Sequence, residues 1–171
     1  MSTKSVLIAI LISICMTSID SKAINDINAR STLRNLKDFG VIVEQTYVDG
    51  RGNENTSSSL QTEIELKLRM AGIKILSREE LKDERDTPVL TAKYTVVSDW
   101  GRYFDFYNVE IELRQLVSLF RDKKIISPAI TWSSMRRGSP KYGKGKDEAK
   151  RALFELIDEF INSFLAENPK K

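Results

Sequence analysis

Apolar and polar positions alternate most sharply at 107–114. Tyr107, Val109, Ile111 and Leu113 interleave with Asn108, Glu110, Glu112 and Arg114, a period of two that gives one buried and one wet strand face. Val117 and Leu119 extend the pattern. Two segments carry helical spacing instead. Leu60, Ile64, Leu68 and Ala71 mark one stripe, widened by Leu66 and Met70. Ser58 with Gln61 forms a capping box ahead of it, and Gly72 stands where a C′ glycine ends a helix. A longer stripe runs through Ala149, Ala152, Leu153, Leu156, Ile157, Phe160, Ile161, Phe164 and Leu165. It predicts a terminal helix that starts near Asp147 and stops at Asn168-Pro169.

The remaining apolar runs read as strands: Phe39–Val48 before Asp49-Gly50, a short piece at Ile73–Leu76, Val89–Ser98 and Ile125–Trp132. Pro128 inside the last run calls for an edge position or a bulge. Residues 49–55 form a turn-rich loop, residues 77–88 a charged loop with one helical turn around Glu80 and Leu81, and Arg121–Lys124 a polar turn. The order β-α-β-β-β-β-α predicts an α+β fold. Two helices pack on one face of a mixed sheet of about five strands, and the first β-α-β unit is a right-handed crossover with parallel strands.

The first residues follow another logic. Lys4 precedes an apolar run from Val6 to Met16, and Ser21-Lys22-Ala23 offers small residues at the −3 and −1 positions of a cleavage site. The run is too short to span a bilayer and fits a signal peptide. Two rival readings are a buried amino-terminal element and a lipoprotein anchored through Cys15. Ile14 stands where the residue before a lipidated cysteine should be small, which argues against the anchor. The expected organisation is a signal peptide at 1–23, a flexible lead-in at 24–37 and one domain at 38–171, with the mature protein periplasmic or secreted.

Composition narrows the chemistry. The 171 residues contain no histidine and one cysteine, Cys15. A mature chain from Ile24 therefore lacks the commonest general base, any disulfide and any thiolate metal ligand. Apolar residues make up 41% and charged residues 30%, a globular balance. The formal net charge is +3, far from the strongly basic profile of a nucleic-acid binder. No cofactor, metal site or nucleic-acid partner is expected.

Four local features invite chemistry. Gly138-Ser-Pro-Lys-Tyr-Gly-Lys-Gly145 resembles the start of a phosphate-cradling loop, but Gly145 occupies the place of the magnesium-binding Ser or Thr. The basic group Arg136, Arg137, Lys141, Lys144 and Lys146, continued by Lys150 and Arg151, suits an anionic lipid headgroup or polysaccharide, or simply a solvated face. The aromatic stretch around Trp100, Tyr103 and Phe104 suits a partner, or folds back onto the sheet edge. Asp99, Asp105, Glu110 and Glu112 are the carboxylates a small hydrolase would use, although Glu110 and Glu112 sit on the wet face of an ordinary strand.

Two resemblances add to this. In element order the chain resembles the amino-terminal domain of the translocation protein TolB, an envelope module; this is an analogy of topology. The segments Leu60–Ile73 and Asp158–Lys170, the latter containing Asp158-Glu-Phe-Ile-Asn-Ser-Phe-Leu-Ala-Glu-Asn-Pro169, resemble uncharacterised secreted bacterial proteins that end in a D-x-F-I-N-x-x-L-x-x-N-P helix. Neither implies a catalytic residue. The expectation is an exported, non-enzymatic module that binds a protein partner in the envelope. The alternatives are a binder of an anionic envelope component and, more distantly, a hydrolase.

Overall fold

The strands are held together by one long parallel ladder and two antiparallel ones. In the computed structural model, which describes residues 27–48, 53–54, 58–83, 87–98 and 103–169, β1 (Asp38–Val48) pairs in parallel with β4 (Val89–Ser98), from Gly40 opposite Val89 to Val48 opposite Val97. β4 pairs antiparallel with β5 (Asp105–Leu119), and β5 with β6 (Asp122–Gly138). Two short strands flank β1. β2 (Asn53–Glu54) is antiparallel to its end, and β3 (Lys74–Ile75) is parallel to its start. The main path is β2-β1-β4-β5-β6, so the sheet is mixed and the fold is α+β, as the element order predicts.

The helices are α1 (Ile27–Ser31), α2 (Ser58–Met70), α3 (Arg78–Asp83) and α4 (Gly145–Glu167). The stripes of α2 and α4 and the inward faces of β1, β4 and β5 form one core. Phe160 is its pivot, with Phe39 5.5 Å away at 88° and Trp132 5.1 Å away at 74°. Such edge-to-face contacts pair the positive ring edge with the negative face. Gly72 has φ 83° at the end of α2, the left-handed cap a glycine supplies without strain.

Three differences separate the structure from the sequence reading. β3 is shorter than expected, and β4 takes over as the long parallel partner of β1. The turn between β5 and β6 is Phe120-Arg121 rather than Arg121–Lys124, because Leu119 still pairs with Asp122. Both strands therefore outrun the sheet. Pro128 does lie on the sheet-edge strand β6, as a residue without an N–H requires. Residues 27–37, expected as a flexible lead-in, pack instead: Leu33 is fully buried. Its carbonyl accepts from Asn168 Nδ2 at 2.8 Å, and Asn35 N–H donates to Asn168 Oδ1 at 2.8 Å. The side chain of Asn168, the residue that follows α4, thus clasps this segment. The signal-peptide reading at 1–23 falls outside the described residues.

Candidate functional site

β5 and β6 leave the sheet side by side at their Asp105/Gly138 end, and their continuations stay joined. Asp105 N–H donates to Pro140 O at 2.9 Å, Tyr142 N–H to Tyr103 O at 3.3 Å, and Phe104 bridges to Lys141. Gly138 permits this closeness, since a Cβ there would lie 2.5 Å from the Tyr107 ring. The stretch around Tyr103 and the loop after β6, separate features in the sequence, are thus one surface. Tyr103, Phe104, Phe106 and Tyr142 expose 46–72% of their area there. Val97, opposite Phe106 in the ladder, is exposed too. Trp100 and Asp99 lie outside the described residues.

Asp105 anchors the corner from inside. It is 2% exposed, and its Oδ2 accepts from Gly145 N–H at 2.7 Å. The carboxylate thereby caps α4 from forty residues upstream, where the open N–H groups and the helix dipole favour a negative charge. A Cβ on Gly145 would lie 2.6 Å from Asp105 Cβ, so the approach needs glycine. Asp147 falls in the first turn of α4, as expected of a helix that begins near it. The Asp105 cap also disposes of the phosphate-loop reading: the N–H that a phosphate would use is already held by the protein's own carboxylate.

The basic group does not form one loop patch. Arg136 and Arg137 stand on β6. Arg136 pairs with Glu155 and Glu159 of α4, and Arg137 Nε donates to Asn108 Oδ1 at 2.9 Å. Lys146 Nζ lies 3.6 Å from the centre of the Tyr47 ring, a cation–π contact. Lys150 pairs with Glu63 and Arg151 with Glu148. Lys141 and Lys144, both exposed in the loop beside the aromatics, have no ion pair among the described residues.

The carboxylates split likewise. Glu110 and Glu112 share Lys93 on the sheet face away from α2 and α4, at 3.6 and 2.8 Å. The hydrogen bond that Lys93 donates to Glu112 raises the Lys93 pKa. Two carboxylates tied to one ammonium on a sheet face do not flank a substrate cleft. A small open pocket lies on the helix side instead, lined by Gln45, Ser59, Leu60, Glu63, Tyr94 and Lys150. Burial pushes the Tyr94 hydroxyl up to about 12, and it donates to Lys146 O at 2.8 Å. Among the described residues, no group of three or more His, Cys, Asp or Glu is placed to hold a metal. No helix among them is long and apolar enough to cross a membrane.

Sequence reasoning missed the union of Tyr142 with the aromatic hairpin and the capping role of Asp105. The cap had no usable signal, since the partner of Asp105 is forty positions away.

No protein-family profile matches the chain, and no curated protein matches it. Among solved structures, the PelC dodecamer from Paraburkholderia phytofirmans is similar at TM-score 0.37 and 16% identity, over 74% of this chain and 87% of that one. An uncharacterized protein is similar at TM-score 0.31 and 13% identity, over 76% and 90%. The rare lipoprotein B from Shewanella oneidensis is similar at TM-score 0.28 and 14% identity, over 74% and 91%. At these scores the likeness is partial and assigns no activity.

Proposed function

We propose that the chain is an exported, non-enzymatic module of the bacterial cell envelope that binds a protein partner through its aromatic corner. The observation that carries this reading is the exposure of four rings, Tyr103, Phe104, Phe106 and Tyr142, on two segments fixed to each other by backbone hydrogen bonds. Aromatic side chains supply large contact area at low entropic cost, and with arginine they dominate interface energetics. Arg137, Lys141 and Lys144 ring the same corner and would favour a partner with acidic residues at its rim. Export rests on the signal-like segment at 1–23. Of the alternatives, an anionic component held by the basic loop draws less support, because Arg136 and Lys146 are committed to Glu159 and to Tyr47. The hydrolase reading draws less still, since Asp105 is engaged at the start of α4.

The test places a photo-crosslinking amino acid at Phe104 in the full-length protein in its native host. One dominant protein adduct is expected, and it should disappear in the Tyr103→Ser, Tyr142→Ser double variant. No adduct, or an adduct indifferent to that double variant, would refute the reading.

A further inference from the structure

The other end of β5 carries a second exposed apolar surface of different chemistry. β4 pairs with β5 only as far as Arg114, so, among the described residues, 115–119 have β6 as their one ladder partner. From Leu116 onward the two strands form a free arm. Its tip lies roughly 45 Å along the strand from the aromatic corner, at about 3.3 Å per residue. At the apex the Phe120-Arg121 turn leaves Phe120 99% exposed. Next to it the register shifts: Ser118 faces Ile126 and Leu119 faces Asp122, so Lys123, Lys124 and Ile125 bulge out without partners in the ladder. Ile126, Ile130 and Leu116 are exposed along the shaft.

Such side chains on a solvated hairpin keep apolar surface in water, which marks a contact surface. The charges beside them select its partner. Asp122 is the one acidic residue between 113 and 130, against Arg114, Arg121, Lys123 and Lys124. Among the described residues none of these four cations has an ion pair. An exposed aromatic apex, flanked by isoleucines and by long cationic side chains, matches the boundary between anionic headgroups and acyl chains. The rings and aliphatics enter the boundary while the ammonium and guanidinium groups stay at the phosphates. Outside the bulge at 123–125 the two strands pair with each other, and the bulge stays with its lysines at the wet headgroup level, so a shallow entry leaves few polar groups bare.

We propose that the β5–β6 arm docks the protein onto an anionic phospholipid surface, with Phe120 inserted and Arg121, Lys123 and Lys124 at the headgroups. This goes beyond the aromatic-corner reading and does not depend on it: the arm would hold the domain at a membrane with the corner turned away.

The experiment uses the full chain with Cys15→Ser, so that a single environment-sensitive fluorophore reports from Phe120→Cys. Met70→Cys, an exposed position on α2, serves as control. Vesicles are phosphatidylcholine alone or phosphatidylcholine with phosphatidylglycerol at three to one. The label at 120 should shift to the blue and brighten with the anionic vesicles only, and the label at 70 should not change. Adding Lys123→Glu and Lys124→Glu should weaken the response at 120 by at least ~30-fold in lipid concentration, each basic group near an anionic surface being worth roughly fivefold. Because the label reads the tip itself, adhesion through the apolar segment at 6–16 does not mimic the result. No response at 120, equal responses at 120 and 70, or a response that ignores the charge reversal would overturn the proposal. So would a shift at 120 that follows protein concentration without vesicles, which would make the arm a contact between copies of the chain.

Discussion

Replacing Asp105 by alanine removes the side-chain bond between the start of β5 and the start of α4. The carboxylate is buried, and it accepts from the buried Gly145 N–H at 2.7 Å. Loss of a helix-capping side chain costs about 0.5–2 kcal/mol. Leaving a buried N–H without a partner costs about 1–3 kcal/mol. Both figures describe the same bond, so they overlap rather than add. Asp105 Oδ1 is itself buried without a partner, and its removal returns part of the loss. The net expectation is about 1–2 kcal/mol for Asp105→Ala, equivalent to a fall of roughly 2–8 °C in Tm for a chain of this size. Asp105→Asn keeps an acceptor oxygen and gives up the charge at the helix start, so it should cost about 0.5 kcal/mol. Urea titration followed by far-ultraviolet circular dichroism measures both, with an unchanged denaturant slope as the check that the unfolded state is the same. Asp105→Ala within 0.5 kcal/mol of the parent, or Asp105→Asn costing as much as Asp105→Ala, would refute the capping argument.

Three further outcomes follow from the core, the α2 cap and the buried tyrosine. Phe160→Ala should cost about 3–5 kcal/mol, because it opens a cavity between Phe39 and Trp132; loss of the near-ultraviolet signal of Trp132 would report the disordered packing. Gly72→Ala should cost about 1–2 kcal/mol for forcing φ 83° on a residue with a Cβ, and a neutral result in the same titration would contradict the cap geometry. Tyr94 titrates at about 12 when folded against 10.0 normally, because burial disfavours its anion. A folded pKa raised above the unfolded one means stability is intact below pH 10 and falls as pH rises from 10 to 12, by about 2–3 kcal/mol. Lys93, also raised, loses its pair with Glu112 in the same direction above its usual 10.5. Tyr94→Phe should flatten the pH 10–12 slope in urea titrations, and an unaltered slope would assign it elsewhere.

Local periodicity was enough to place the elements. A strand at 89–98, a helix ending at Gly72 and a terminal helix ending at Asn168 need only side-chain spacing and cap chemistry, which act within a few residues. The one-sided α+β arrangement also follows, because two amphipathic helices and an alternating strand bury their stripes against each other. What periodicity does not carry is the pairing between distant segments. The parallel match of β1 with β4, the union of Tyr103 with Tyr142, the cap that Asp105 gives to Gly145 and the clasp of Asn168 on Leu33 join positions 39 to 135 residues apart, where spacing within an element is silent. Charge partners are of the same kind. Arg136 and Lys146 read as free cations in the sequence, and only the packing of β6 and α4, and of Tyr47 beside Lys146, neutralised or covered them. The arm lies between the two cases. Its apolar residues were visible, but their exposure was decided by β4 ending its ladder at Arg114, a property of the neighbouring strand and not of the segment itself.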